Sequence, residues 1–365
     1  MRDRLFSFAG AMLLPAFCVL LASLSAARAA DPGCEPAGEY AFVCGPKNPE
    51  DLVLVPGTRW ILSSSLSADG ALYLIDAEHK SWRALYPGDN PRAQHDTERY
   101  GACPSAPDPA GFISHGLNLR PGAGGHSTLY VVGHGAREAI EVFDVDATGE
   151  EPVLTWTGCA PMPAGLAANS VAVLGDGSLL ATIPLLAGID INDGLGGKPT
   201  GGVYAWSPGD AGFVPVQGTE MPYANGIEVS ADGTEFYVAS SGMFDVRAFS
   251  NTNPARMLRR TEAFDFLPDN LHRDDSGRLI TAGLNLDDPV CGDLRQAEAF
   301  DFAAFMACPR AFTVWAVDPQ SMQGTALATG PVNAGFSNIT MALNVNGELW
   351  IATFHGDRIA YRVGE

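Results

Sequence analysis

One β-hairpin phrase occurs six times along the chain, and this repetition limits the fold more than any other feature of the sequence. Each copy combines a turn glycine with a run of apolar residues that ends in small ones. The copies begin at Asp69, His126, Asp176, Asp232, Ser276 and Asn346. Asp-Gly and Asn-Gly between two apolar runs are strong hairpin signals. The pattern therefore predicts six copies of one β-unit.

The spacing of the copies predicts how the units are arranged. They recur about every 55 residues, which is near the length of a four-stranded blade. A further apolar strand follows several hairpins, as at 139–145, 202–206 and 312–317. Radial repetition leaves only short sheet edges exposed, so we predict an all-β fold, a six-bladed β-propeller formed as a single domain by residues 31–365. The alternative, a pair of β-sandwiches, does not explain why one polar position recurs in every unit.

That polar position opens the strand before each hairpin. Its six occurrences are Glu50–Asp51, His115, Asn169, Asn225, Asp269–Asn270 and Ser337–Asn338. The innermost strands of a propeller line its channel, so residues that begin these strands converge on the axis. An isolated Asn is best explained by its own turn hydrogen bonds, but the repetition favours a shared site.

Five of these residues form a candidate metal site. The set is Glu50, Asn169, Asn225, Asp269 and Asn270. Two carboxylates and three amide oxygens are ligands that Ca²⁺ prefers. Two carboxylates gathered without a cation would repel each other and lose their hydration. The sequence therefore predicts a central calcium site.

The first thirty residues have the features of an export signal. A charged start precedes an apolar stretch over 5–24, and small residues follow at 27–30. This order is typical of a cleaved signal peptide. The alternative is an uncleaved membrane anchor, although the segment is at the short limit for spanning a bilayer. We predict a signal peptide at residues 1–30, export to the periplasm or medium, and no membrane span after cleavage.

Charge and cysteine content agree with an exported protein that acts on small molecules. The formal net charge of −20 argues against nucleic acid as a partner. Six cysteines remain after the leader's Cys18, and an even number in an exported chain predicts three disulfides among fifteen possible pairings. Proximity in the sequence favours two local pairs, and the third pair is what remains. These are Cys34–Cys44, Cys291–Cys308 and Cys103–Cys159.

At the axial residues the sequence resembles the paraoxonase family of calcium-dependent lactonases and arylesterases, within the wider SMP-30/gluconolactonase-like group of six-bladed propellers. The matching fragments are Glu50–Asp51, 114–116, 130–134, 224–227, 269–270 and 353–355. The resemblance implies that the five residues named above hold a catalytic calcium ion. It also implies that His115, backed by His134, activates water.

Two features depart from that family. Its second, structural ion needs an aspartate directly after the asparagine of the third inner strand, where this chain has Ser170. The resemblance thus implies one ion and leaves a second in doubt, although Asp51 is present. The family's disulfide between the N-terminal region and the last strand cannot form, because no cysteine follows Cys308. We therefore expect strand pairing alone to close the ring.

The implied function is calcium-dependent hydrolysis of a small-molecule lactone or aryl ester. The ion would polarise the carbonyl, His115 would accept a proton from water, and His134 would orient His115. One alternative is a sugar lactonase with a polar pocket, and another is a non-catalytic ligand-binding propeller with a structural ion. No Gly-x-Ser-x-Gly motif offers a serine nucleophile.

Two long loops, 86–109 and 285–309, are candidates for shaping substrate choice. The second contains an amphipathic helical pattern over 294–306 that Cys291 and Cys308 bracket. We predict that the 285–309 insertion covers a pocket mouth, the alternative being an insertion on the outer rim. The glycine-rich segment 194–202 lacks the spacing of a phosphate loop and is predicted to be a surface loop.

Overall fold

The computed structural model describes residues 33–296 and 301–363, so the predicted signal peptide at residues 1–30 lies outside the described residues. Almost all regular structure is β. The strands are β1 (Ala41–Cys44), β2 (Leu52–Leu54), β3 (Trp60–Ser63), β4 (Leu72–Asp76), β5 (Ser81–Tyr86), β6 (Arg92–Ala93), β7 (Phe112–Pro121), β8 (His126–Gly135), β9 (Ala139–Asp146), β10 (Val153–Pro161), β11 (Val171–Val173), β12 (Leu179–Ile183), β13 (Gly202–Trp206), β14 (Val214–Pro215), β15 (Ala224–Val229), β16 (Glu235–Ser240), β17 (Asp245–Ser250), β18 (Met257–Arg260), β19 (Leu271–Arg273), β20 (Leu279–Leu284), β21 (Phe312–Val317), β22 (Gly324–Gly330), β23 (Ile339–Val345), β24 (Glu348–Thr353) and β25 (Arg358–Val363).

These strands form six antiparallel sheets arranged as a β-propeller, which confirms the predicted fold. Within each sheet the strands are adjacent in chain order. The six sheets consist of β2–β5, β7–β10, β11–β14, β15–β18, β19–β22, and β23–β25 with β1. The short β6 adds a parallel edge to the second sheet. Neighbouring innermost strands contact each other around the ring, including β2 with β7 and β23 with β2. The six blades therefore surround one axis.

Strand pairing between the two ends of the chain closes the ring, as the missing terminal cysteine led us to expect. β1 is the outermost strand of the sixth blade and pairs antiparallel with β25, from Ala41 opposite Tyr361 to Cys44 opposite Arg358. The backbone N–H of Gly45 continues the contact by donating to Asp357 O at 2.6 Å. An early and a late segment thus share one sheet.

The sequence pattern assigns the first inner hairpin to the wrong turn. Asp69–Gly70 lies between β3 and β4, the second and third strands of the first blade, and the inner hairpin is at Pro56–Gly57. Both hairpins carry turn residues, and β2 is so short that its apolar run gives a weak signal. With the correct hairpin, Glu50 stands about as far before Gly57 as Asn169 stands before Gly177.

The three predicted disulfides are present. They are Cys34–Cys44, Cys103–Cys159 and Cys291–Cys308. The second joins the 86–109 loop to β10, and the third brackets the helical part of the 285–309 segment. Such bonds persist in oxidising compartments.

Two short α-helices stand above the upper face, which we define as the end of the axis where the innermost strands begin. α1 (Ile191–Leu195) lies between β12 and β13, and α2 (Phe302–Ala307) lies between β20 and β21. Connections between second and third strands return to the upper face, so both helices lie there. The continuous helix expected over 294–306 is described only as a 3₁₀ turn at Leu294–Gln296 and as α2. None of the helices in the described ranges has the length and apolarity to cross a bilayer.

Candidate active site

A bulge in β7 places His115 near the axis. The register between β7 and β8 shifts between Ser114 and Leu117, which leaves His115 and Gly116 outside the regular ladder. Bulges redirect side chains in this way. A Cβ on Gly116 would lie 2.6 Å from the backbone oxygen of Asn169. Glycine is therefore required for the close approach of the second and third blades.

The fourth blade has the same combination of a strand bulge and a glycine in close contact with the next blade. The register of β15 shifts around Asn225 and Gly226, and the Gly226 N–H donates to the backbone oxygen of Asp269 at 3.2 Å. A Cβ on Gly226 would come within 2.5 Å of that oxygen. The Asn225 amide donates to Ser241 Oγ at 3.1 Å, which leaves its oxygen available to the axis.

Glu50 connects three blades at the axis. Its Oε1 accepts a 2.6 Å hydrogen bond from Asn270 Nδ2, and its backbone oxygen accepts one from Thr340 Oγ1 at 2.5 Å. Glu50 precedes β2, Asn270 precedes β19, and Thr340 lies in β23. The carboxylate is almost completely buried, with 1% of the residue exposed.

Four buried oxygens at this place have no hydrogen-bond partner within the described part of the chain. They are Glu50 Oε2 and the Oδ1 atoms of Asn169, Asn225 and Asn270. Buried polar atoms are nearly always paired in folded proteins, so this group needs a common partner. Only a cation or ordered water satisfies four converging acceptors together. The donor set is all oxygen and suits a hard cation such as Ca²⁺.

The two acidic groups resist ionisation in this environment. Burial raises the pKa of Glu50 well above its usual range, and the charges of Asp51 and Asp269 raise it further. Burial also raises the pKa of Asp269 to about 7, against a lowering effect of hydrogen bonding from Asn225. Clustered buried carboxylates behave this way when no opposite charge is near, and a bound cation would reverse both shifts.

The two predicted histidines are in direct contact. His115 Nδ1 and His134 Nε2 are 3.0 Å apart. His115 Nε2 lies 3.7 Å from Glu50 Oε1, which is too long for a direct hydrogen bond. Burial lowers the pKa of His115 well below its usual value, and the neighbouring His134 lowers it further. The His115 imidazole is therefore neutral at pH 7.

A cavity of about 350 Å³ opens above these groups, and Glu50, His115, Asn169, Asn225 and Asp269 lie on its floor. Its walls are mostly apolar or aromatic. The wall residues include Leu66, Leu195, Tyr223, Phe244, Leu294, Phe305 and Phe354.

Segments 184–201 and 285–309 supply much of the upper wall. Ile191 and Leu195 come from α1, and Phe305 comes from α2 and stacks on Phe354 with ring centroids 6.4 Å apart. Sequence reasoning missed the first segment, because its glycines suggested a plain surface loop. Within the described residues, the 86–109 loop contributes nothing to the cavity lining.

The Asp51 carboxylate contacts a backbone N–H and a histidine ring. Its Oδ2 accepts a 2.7 Å hydrogen bond from Leu117 N, and its Oδ1 lies 2.8 Å from His272 Nε2. Burial lowers the pKa of His272, but the charge of Asp51 and their hydrogen bond outweigh burial and raise it overall. The His272 ring thus faces Asp51, a contact that no sequence pattern revealed because the two residues are in different blades.

The structure places four of the five predicted metal ligands and His115 in the lining of one cavity. The fifth ligand, Asn270, contacts Glu50, and His134 contacts His115. Asn338, at the start of the sixth inner strand, is absent from the cavity lining. In the described ranges, no cluster of three or more His, Cys, Asp or Glu side chains is placed to hold a metal ion. The five-residue set has two carboxylates and takes its other oxygens from asparagines. Its role as a calcium site stays a prediction.

The sequence matches a known family over most of the propeller. Residues 63–288 match the model of the SMP-30/Gluconolactonase/LRE-like region. The chain belongs to this family. No curated protein matches it in sequence. Family membership supports the broader of the two resemblances drawn from the axial residues.

Solved structures of the same architecture are distant in sequence. A luciferin-regenerating enzyme is 13% identical, with 88% of this chain and 93% of that chain covered and a TM-score of 0.53. A gluconolactonase from Xanthomonas campestris is 15% identical, with 88% of each chain covered and a TM-score of 0.51. A calcium-binding protein, regucalcin, from Agrobacterium tumefaciens is 12% identical, with 90% and 94% covered and a TM-score of 0.51. At these identities the likeness concerns the fold alone.

Proposed function

We propose that this protein is a calcium-dependent hydrolase of apolar lactones and aryl esters, of the paraoxonase type. The observation that carries the proposal is a group of four buried oxygens without a hydrogen-bond partner among the described residues, three of them on residues that line one cavity beside the neutral His115 imidazole and the fourth on Asn270, which contacts Glu50. The family supports lactonase-like hydrolysis, and the regucalcin relative is a calcium-binding protein. The ligands would be Glu50, Asn169, Asn225, Asp269 and Asn270.

In the proposed reaction the residues of the chain bind, orient and accept a proton. When bound, the calcium ion would polarise the substrate carbonyl and stabilise negative charge on its oxygen. His115 lines the cavity, and its Nε2, which lies 3.7 Å from Glu50 Oε1, accepts the proton of the attacking water, which a neutral imidazole is able to do. His134 holds the other nitrogen of His115 in place.

The cavity walls favour apolar substrates over sugars. Leu66, Leu195, Phe244, Phe305 and Phe354 surround the space above the floor, and apolar area buried by a ligand stabilises its complex by about 25 cal/mol per Å². A sugar lactone would bury hydroxyls against these groups without hydrogen bonds. A sugar lactonase activity, which is the function of the Xanthomonas relative, is therefore the second candidate.

A substrate panel tests the proposal. Purified protein would be assayed on an alkyl lactone, an aryl acetate and gluconolactone, with added Ca²⁺ and with chelator. We expect calcium-dependent hydrolysis of the first two and much weaker hydrolysis of gluconolactone. Preference for gluconolactone would favour the sugar lactonase, and no hydrolysis with calcium bound would favour a non-catalytic binding protein.

A matched pair of variants tests the apolar wall. Phe305→Ala removes a cavity-lining ring and should raise KM for the alkyl lactone by about tenfold, as expected for about 1.4 kcal/mol of lost contact. Val290→Ala is the control, because Val290 is 87% exposed in the same segment. An unchanged KM in Phe305→Ala would refute the wall assignment.

We infer further that the protein binds one ion and works outside the cytoplasm. A second ion would need an aspartate at position 170, where this chain has Ser170, and Asp51 already accepts a hydrogen bond from Leu117 N and contacts His272 Nε2. The three disulfides suit the periplasm or medium. Export would use the signal peptide predicted at residues 1–30.

A further inference from the structure

Three side chains form a row that leads outward from the cavity floor. His115 Nδ1 is 3.0 Å from His134 Nε2, and His134 Nδ1 is 2.5 Å from Glu138 Oε2. His134 lies near the end of β8, and Glu138 immediately precedes β9. The tight connection between these strands therefore places the carboxylate beside the imidazole.

Glu138 is not neutralised by its cationic neighbour. Arg137 directs Nε and Nη2 to the two carboxylate oxygens of Glu141, at 2.6 and 2.8 Å. Its Nη1 donates to the backbone oxygen of Ser105 at 2.8 Å. Because the Arg137 guanidinium donates to these acceptors, it does not pair with Glu138, and the Glu138 carboxylate contacts His134 instead.

The acceptor at the outer end sets the direction of every hydrogen bond in the row. An ionised carboxylate only accepts, so His134 Nδ1 carries the proton and donates it to Glu138. His134 Nε2 is then an acceptor, and it must receive the proton on His115 Nδ1. His115 Nε2 is left with its lone pair, and this nitrogen faces the cavity.

We propose that Glu138 is a positioning residue that fixes both histidines in the Nδ1–H tautomer and so presents the unprotonated Nε2 of His115 to the cavity. This inference rests on the proposed function, in which His115 accepts the proton of water. The contact between Glu138 and His134 is not explained by its contribution to the stability of the fold. Glu138 is about one-third exposed, and exposed ion pairs contribute only about 0–1 kcal/mol.

Variants of the row give a kinetic test on the calcium-loaded full-length protein. Glu138→Gln places an amide that both donates and accepts beside His134, so it no longer enforces one tautomer. We expect kcat for the alkyl lactone to fall by about 10- to 100-fold with KM changed less than twofold, within the range of general-base effects. Glu138→Asp should restore part of the loss.

Coupling separates a positioning role from a local structural one. The double variant with His134→Gln should lose little more than the more impaired single variant, because both substitutions disable one unit. Asp144→Asn is the matched control. It breaks a carboxylate–histidine pair with His126 at 3.1 Å in the same blade, away from the cavity, and should keep wild-type kcat.

Nitrogen-15 NMR of labelled histidines tests the tautomers without any turnover. We expect Nδ1–H forms at His115 and His134 in the unmodified protein, and a population of the Nε2–H form at His134 in Glu138→Gln. Nε2–H rings in the unmodified protein, or a Glu138→Gln variant that keeps more than half of kcat, would overturn the proposal. If no ester or lactone is hydrolysed at all, the proposed function fails, whereas the NMR result still decides the hydrogen-bond direction.

Discussion

Removal of calcium should destabilise the propeller by about 4 kcal/mol and stop hydrolysis in the same step. Four buried oxygens at the axis have no hydrogen-bond partner in residues 33–296 and 301–363: Glu50 Oε2 and Oδ1 of Asn169, Asn225 and Asn270. An unpaired buried polar atom costs about 1–3 kcal/mol, which gives on the order of 4–12 kcal/mol for four. Water that enters the vacated site offsets part of this cost. The lower end of this range agrees with the roughly 4 kcal/mol by which a ligand stabilises the folded state when its free concentration is about a thousand times its Kd.

The perturbation that isolates the site is Asp269→Asn. It removes one of the two carboxylates on the cavity floor, and the pKa of about 7 shows how poorly this group holds its charge without a cation. The variant should bind Ca²⁺ much more weakly. Asp275→Asn is the matched control, because Asp275 is exposed in the hairpin at the far end of the same inner strand.

The assay is thermal unfolding with added Ca²⁺, with Mg²⁺ and with chelator, alongside metal analysis and hydrolysis. Chelation should lower the Tm of the unmodified protein and of Asp275→Asn by roughly 5–15 °C, and barely move that of Asp269→Asn. Ca²⁺ should restore stability and activity, and Mg²⁺ should do so poorly because it demands tighter octahedral geometry. If the unmodified protein melts at the same temperature and hydrolyses equally well after confirmed metal removal, the calcium reasoning is wrong.

Three further changes probe the base, the ion count and the segment above the cavity. His115→Gln should keep the fold and metal content and lower turnover by about 10²- to 10⁴-fold; retention of more than half of the lactonase activity would refute the base assignment. Ser170→Asp supplies the aspartate that the resemblance requires for a second ion and should raise the calcium stoichiometry from one to two without harming the fold, as metal analysis would report; two ions in the unmodified protein would contradict the single-ion reasoning. Replacing Cys291 and Cys308 by Ser should raise KM for the alkyl lactone more than KM for a small aryl acetate, and equal changes in both would argue against a role for α2 in substrate binding.

The repeat made the blades and the axial residues predictable from sequence. If six repeated units close into a ring, a polar residue at the equivalent position of each unit lies near the axis. Asn169 and Asn225 could therefore be predicted as axial residues without knowledge of any contact. The same logic failed for the hairpin at Asp69, because a turn signal does not say which two strands of a blade it joins.

Contacts that depend on a partner outside the repeat were not predictable. Glu138 meets His134 through a short connection in one blade, and His272 meets Asp51 across the ring between the first and fifth blades. Among the residues that the structure describes, neither carboxylate–imidazole contact recurs at an equivalent position in another repeat. The wall contributed by α1 was missed for a related reason, since glycine-rich composition shows that a segment lacks a regular strand but not where it lies.

The backbone bonds between neighbouring inner strands lie at the same residues as the candidate metal site. Backbone N–H groups of Gly116, Gly226 and Asn270 bond to the start of the next inner strand, at Asn169 O, Asp269 O and Thr340 O. Each bond lies at or directly beside a proposed ligand. A cation drawn to the side chains would therefore hold together the strand starts that these backbone bonds join, and its loss would loosen several blade junctions together. This coupling explains why we expect chelation to lower the stability of the whole propeller, whereas a change confined to one loop would affect only substrate binding.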